Sequence, residues 1–360
     1  MKLTKLDYYI IKRFLGAFLL ALGLFTIIII VFDLAEKIDD FIEHDAPFKA
    51  IILSYYVNWI PFLLNLFSPV FVFIAVIFFT SKMAQKSEIV AIMASGVSFL
   101  RLLVPYVITA TFLAFLSFSL YAWIIPKADK TRVVFENEYI RERENYSKQY
   151  IKRQIRPGVI MTLETFNLRD SFGYQLNMER LEDGEIVSKL GAEKMVWNSE
   201  SQSWQIKNYW IREFNQGKEY LTKGKTLDTM IQFNPEDFFK KMDDIQMYNM
   251  RELDEMIAME DMRGTGNTFF YVTEKYKRFA SPFAIIILTI IGVSVSARKS
   301  RGGIGLSLGV GVLLSFLYLI VIQFFNAYGT SGSMHALLAT WIPNIIFGAV
   351  AFVLYRFAQK

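Results

Sequence analysis

The chain has 360 residues, 53% of them hydrophobic, a formal net charge of +5 and no cysteine, with a mean hydropathy of +0.31. The apolar excess over a soluble protein is gathered into blocks, and the missing cysteines exclude disulfides, thiolate metal sites and cysteine nucleophiles. The only two histidines, His44 and His335, lie far apart, and the basic residues form no clustered face of the kind that nucleic acid requires.

Residues 14–32 form the first uncharged block long enough for a hydrocarbon core about 30 Å thick. Lys2, Lys5, Lys12 and Arg13 precede it; Asp33, Glu36, Asp39, Asp40, Glu43 and Asp45 follow. It is longer than a signal-peptide core and no small-x-small cleavage site follows. It therefore reads as a retained anchor with a cytoplasmic N-terminus, by the positive-inside rule. Residues 53–79 hold Pro61 and Pro69, which spans tolerate, and return the chain to Lys82 and Lys86. Residues 81–98 are a short, mixed segment with helical character. Residues 102–125 form the third block, which puts Lys127 outside.

No span is expected over residues 127–266. Residues 159–166, 174–178, 186–196, 203–214 and 227–233 alternate as strands. Turn signals separate them, among them Asp183-Gly184 and the run from Asn198 to Ser201. Pro235 ends this section, and residues 250–262 read as a helix closed by Gly264 and Gly266. Blocks at 279–295, 305–325 and 337–354 complete the chain. Arg298, Lys299, Arg301, Arg356 and Lys360 mark the cytoplasmic side. The expected architecture is a membrane α-helical bundle of six transmembrane helices, three plus three (residues 1–126 and 267–360). An all-β domain, residues 127–266, is inserted on the outer side. Its strands suggest an antiparallel sandwich or open roll. Ile160, Leu163, Leu176, Val187, Trp197, Trp204 and Trp210 would line either a filled core or an open apolar interior.

Catalytic motifs are missing. A P-loop needs glycines five apart before Lys-Thr so that backbone amides wrap the phosphates. Gly217 and Gly224-Lys225-Thr226 are seven apart and lie among strands. There is no His-Glu-x-x-His and no Gly-x-Ser-x-Gly, and no carboxylate sits in the middle of a block, where ion-coupled carriers place one. No catalytic residue, metal ligand or cofactor is expected. Gly305, Ser307, Gly309 and Gly311, and on the first block Gly16, Ala17, Ala21 and Gly23, make small-x-x-x-small faces. Such faces serve plain helix packing or a movable lateral gate. The segment around residues 81–98 carries Glu88 on an otherwise small and apolar helix. It is either a solvated interfacial helix or a coupling helix that docks into a cytoplasmic partner. Lys275, Lys277 and Arg278 break the charge rule by lying on the outer side.

Several stretches together resemble one family. They are Leu6-Asp7-Tyr8-Tyr9-Ile10-Ile11-Lys12 before the first block; Ala84-Gln85-Lys86-Ser87-Glu88 followed by Ala94-Ser95-Gly96; Pro126 after the third; and Tyr271, Arg278 and Pro282 leading into the fourth. In order and placement they resemble the lipopolysaccharide export permeases LptF/LptG, closer to the LptG branch, and the likeness covers the whole chain. The resemblance implies a non-catalytic permease of a Gram-negative inner membrane, paired with a second permease and with a cytoplasmic ATPase dimer. Lipopolysaccharide would pass between first and fifth spans of the two permeases, then along a jelly-roll domain to a periplasmic bridge. It assigns ATPase coupling to Ala84, Gln85, Lys86, Ser87, Glu88 and Gly96. It also suggests that Arg278, Lys275 and Lys277, with Lys37, meet the phosphates of lipid A. Attraction to ordinary anionic lipid, or pairing with Glu274, is the plainer reading of the same cluster. Two other functions fit the residues alone: a membrane-anchored assembly factor and an ion-coupled carrier.

Overall fold

The computed structural model describes residues 4–140, 147–167, 170–182, 184–215, 218–229, 231, 234–235, 242–263, 267–297 and 303–358. Lys2, Asp183, Gly217, Phe233, Gly264, Gly266, Arg298, Lys299, Arg301 and Lys360, which the sequence reading used as signals, lie outside the described residues.

Helix α1 is Lys5–Glu43 and α2 is Phe48–Gln85. The short α3, Glu88–Ala94, joins α2 to α4, Phe99–Tyr139. After six strands come α5, Met250–Arg263; α6, Thr268–Ser296; α7, Gly303–Thr330; and α8, Ala336–Ala358. Six helices are long and apolar enough to cross a membrane: α1, α2, α4, α6, α7 and α8. The apolar blocks mark only their middles. At 1.5 Å per residue α1 is roughly 58 Å long, well beyond the hydrocarbon core.

Helix α4 likewise runs on through Pro126. Just before that proline, Leu120–Ile124 winds as a π-helix, whose wider turn gives the ring room. A second π stretch, Ile51–Tyr56, opens α2, and the Asn58 amide donates to the carbonyls of Leu53 and Ser54 there (2.7 and 3.0 Å). Pro69 removes the donor for the carbonyl of Asn65, and the Ser68 hydroxyl donates to it instead at 3.0 Å. This local repair is what lets proline sit inside a span.

The chain forms two compact units. The helical unit is Met1–Ile140, Gln246–Arg251 and Phe269–Lys360; the strand unit is Arg141–Ile245 and Glu252–Thr268. In the helical unit α2 packs on both α1 and α7. Polar side chains tie the helices together. Thr80 donates to Tyr106 on α4 (3.0 Å), Tyr318 on α7 donates to Asn344 on α8 (3.2 Å), and the Asn344 amide donates to the carbonyl of Ala280 on α6 (2.8 Å).

The strand unit holds one six-stranded antiparallel sheet in the order β1-β2-β3-β4-β5-β6. The strands are Ser147–Arg156, Val159–Asn167, Phe172–Glu182, Glu185–Asn198, Ser203–Asn215 and Lys218–Thr229. Every neighbour is also the next strand in sequence, so the described strands form a meander. A jelly roll rests on Greek-key crossings, and the described strands make none. Leu163, Leu176 and Trp204 join Met161, Phe166 and Met195 in a filled core on one side of the sheet. Trp197 packs against that core, 5.0 Å from Trp204 between ring centres. Ile160, Val187 and Trp210 are half-buried outside it.

Candidate functional site

At the end of the helical unit where α1 begins and α8 ends, the turn from α2 to α4 is built around α3. Ser87 takes a left-handed φ of 58° before it and Gly96 a φ of 90° after it, a conformation that glycine adopts without a Cβ penalty. The amides of Ser95 and Gly96 bond back to the carbonyls of Ala91 and Met93 (3.1 and 3.0 Å). Ser98 caps α4 through the Arg101 amide at 3.3 Å. The motif Ala94-Ser95-Gly96 is thus a helix stop, followed two residues later by a helix start.

Helix α3 buries Ile89 in the helical core and turns Val90 and Met93 outward. Ala84 is buried, Gln85 and Glu88 are half-buried, and Lys86, Ser87 and Gly96 are exposed. The Glu88 carboxylate, at the positive end of α3, accepts a hydrogen bond from the Tyr9 hydroxyl of α1 at 3.3 Å. Close by, Thr4 and Asp7 form a capping box. Asp7, 1% exposed, takes both terminal nitrogens of Arg101 at 2.6 Å. One clasp therefore ties the start of α1 to α4, and a second ties α1 to α3. The resemblance pointed to Asp7 only within its motif, and Arg101 was missed. Its signal was a lone cation three residues after a capping serine.

At the opposite end Lys37 turns inward. Its ammonium lies 2.9 Å from Asp33 Oδ1, donates to the Tyr55 hydroxyl and sits over the rings of Tyr55 and Trp59 (4.7 and 5.4 Å). Tyr55 in turn donates to Asp33 Oδ1 at 3.1 Å. The π stretch of α2 delivers Tyr55 and Tyr56 to this place, against Phe41 and Phe135. Further along α4, Arg132 pairs with Asp129 at 2.7 Å and with Glu136.

The basic cluster on α6 divides. Lys277 pairs with Glu274 at 3.1 Å and Lys275 is half-buried. Arg278 is 1% exposed; its Nη1 donates to the Tyr248 carbonyl at 2.7 Å and its Nε lies 3.5 Å from Glu274. This guanidinium binds the returning segment Gln246–Arg251 to α6.

The glycine faces divide too. A Cβ on Gly311 would come within 2.3 Å of Ile77 on α2, so this position is close packing. Gly292 on α6, which the sequence reading passed over, is packed as tightly against Val76 at 2.9 Å. A Cβ on Gly16, Gly23, Gly305 or Gly309 would meet no other element within 4 Å. Ser307 is within α7, and its side chain lies outside the described residues. The apolar stretch of α1 is 11% buried and that of α7 17%, against 33–61% for the other four spans. These two helices keep open faces.

Among the described residues no three His, Asp or Glu side chains converge as a metal site. No individually curated protein matches the chain. Residues 8–356 match the family described as lipopolysaccharide export system permease LptF/LptG. With nearly its whole length so matched, and with six span-forming helices around an inserted sheet, the chain belongs to the LptF/LptG permease family.

Proposed function

We propose that this chain is the membrane permease of an ATP-driven exporter that lifts lipopolysaccharide from the inner membrane of a Gram-negative bacterium. Both termini and α3 lie in the cytoplasm and the sheet lies in the periplasm. The chain, of the LptG branch, pairs with a second permease of the family. Two cytoplasmic ATPases drive the pair, and the sheet hands the lipid to a periplasmic bridge. The family consists of permeases without catalytic groups, so hydrolysis belongs to the separate ATPase chain.

The observation that carries this reading is α3. It is a short helix held between two left-handed turns, with Ile89 anchored inside and Val90 and Met93 facing out. An exposed apolar pair on so short a helix suits a groove in a partner. Ala84, Gln85 and Lys86 lead into it, Ser87 and Gly96 fix its ends, and Glu88 is placed to trade Tyr9 for a cation of the ATPase. At the outer end Lys275 and Lys277, with Lys37, receive the phosphates of lipid A, and Arg278 holds α6 behind them. The open faces of α1 and α7, with Gly16, Gly23, Gly305, Ser307 and Gly309, form the lateral gate.

Met93→Asp tests the reading directly. The variant should keep its fold and lose roughly tenfold in recovery of the ATPase during purification, the loss expected when an anchor residue leaves an interface centre. Full recovery, with normal lipid-stimulated ATP turnover, would reject α3 as the handle.

A further inference from the structure

A groove of about 840 Å³ opens between α1 and α2 on the flank of the bundle, near the end that carries both termini. Its walls follow two rows of α1 four residues apart, Tyr9-Arg13-Ala17-Ala21 and Lys12-Gly16-Leu20-Leu24, and the facing side of α2. The small residues Gly16, Ala17 and Ala21 make it deep, while Leu20 and Leu24 are more than half exposed along its rim. From Lys12 to Leu24 it extends roughly 18 Å at 1.5 Å per residue, about the depth of one leaflet of a hydrocarbon core.

Its charge is gathered at one end. Lys12, Arg13 and Lys82 line the mouth, and none of the three forms an ion pair with a described carboxylate. Arg13 lies over the Tyr9 ring at 5.6 Å and Lys82 over the Phe78 ring at 5.9 Å. The Tyr9 hydroxyl, at the same mouth, is directed to the Glu88 carboxylate at 3.3 Å. Three uncompensated cations above an apolar trough of leaflet depth call for an anion with a hydrocarbon tail.

We propose that this groove holds an anionic phospholipid of the leaflet at this end, its phosphate between Lys12, Arg13 and Lys82 and one acyl chain along Gly16 and Ala17. A free phosphate would leave the apolar trough unfilled. A second copy of the chain fits worse, because another apolar span over the groove would leave the three cations without a counter-charge.

The absence of native cysteine allows a single bimane label on Leu24→Cys in the full chain, reconstituted in vesicles. Brominated phosphatidylglycerol should quench it at a lower mole fraction than brominated phosphatidylcholine. Each of Lys12→Gln and Lys82→Gln should shrink that preference roughly fivefold, the weight of one cation at an anionic membrane. Lys5→Gln, exposed at the same end but outside the groove, should leave it intact. Two separate groove variants keep the test open if one folds poorly. Equal quenching by both lipids would overturn the proposal, as would a preference that survives both groove variants or falls equally in Lys5→Gln. Reversal by millimolar inorganic phosphate would assign the mouth to a free anion and also overturn it. So would quenching absent with every lipid in a chain that runs as a dimer, which would give the groove to a second copy.

Discussion

Asp7 and Arg101 show how unequal the two halves of one ion pair can be. Asp7 is 1% exposed, whereas the Arg101 side chain is 28% exposed. Removing Asp7 leaves a guanidinium that water still reaches. Removing Arg101 leaves a buried carboxylate with the Thr4 donors and no counter-charge. Arg101→Ala should therefore lower stability more than Asp7→Asn, with the double variant recovering most of the difference. Thermal unfolding in detergent measures all three, and equal losses in the single variants would contradict the asymmetry. None of this was legible from spacing, because the partners are 94 residues apart. A separation of 18 residues, off any helical spacing, likewise hid Tyr55 as the partner of Lys37. Arg278 read as a surface cation because its outer-side position says nothing of the Tyr248 carbonyl that occupies it.

Strands were legible where burial alternates and illegible where it does not. Residues 159–166 and 203–214 announced β2 and β5 because Met161, Leu163, Trp204 and Ile206 recur on one face. Strand β1 escaped notice. Its apolar anchors, Ile151 and Ile155, are spaced by four among lysines and arginines, and Tyr150 takes a φ of 52° that breaks the alternation. Strand β6 is an edge, almost wholly exposed and lysine-rich, as edges that avoid foreign pairing are. The glycine that imitated a P-loop, Gly224, faces Tyr209 across the β5–β6 pair, and a Cβ there would come within 2.5 Å of the ring. Gly191 and Trp210 repeat the arrangement on β4 and β5, at 2.4 Å. Each glycine is a seat for an aromatic ring. Gly191→Ala should displace the indole and lower stability by about 1–2 kcal/mol, and Trp210→Ala should abolish most of that penalty. Near-ultraviolet dichroism and melting of the two variants and their combination decide it.

For the whole molecule, hydropathy was a sufficient guide to the number of spans, since a block of apolar residues is a local property. It did not reveal how far the helices extend beyond the bilayer, because those extensions are held by tertiary contacts such as Phe41 with Phe135, 6.0 Å between ring centres. Nor could it say which spans keep open faces. Helix α2 packs on both α1 and α7, and these two remain the least covered. If they meet a second permease of the family, cysteines introduced at Ile28 and Ile320, both exposed, should each cross-link to a cysteine on that partner in the assembled exporter and not to each other within one chain. The cysteine-free sequence makes the result unambiguous: a covalent dimer on a denaturing gel supports the arrangement, and an intramolecular link speaks against it.

The π stretches in α2 and α4 carry a different lesson. A π turn accommodates one residue more than the α pitch needs while leaving the helix on either side facing as before. Anywhere else in a span, losing one residue would rotate everything beyond it by about 100° and aim core side chains at lipid. Within Ile51–Tyr56 and Leu120–Ile124 the same loss simply restores regular winding. These are the two places along α2 and α4 where a span can lose one residue without repacking the bundle.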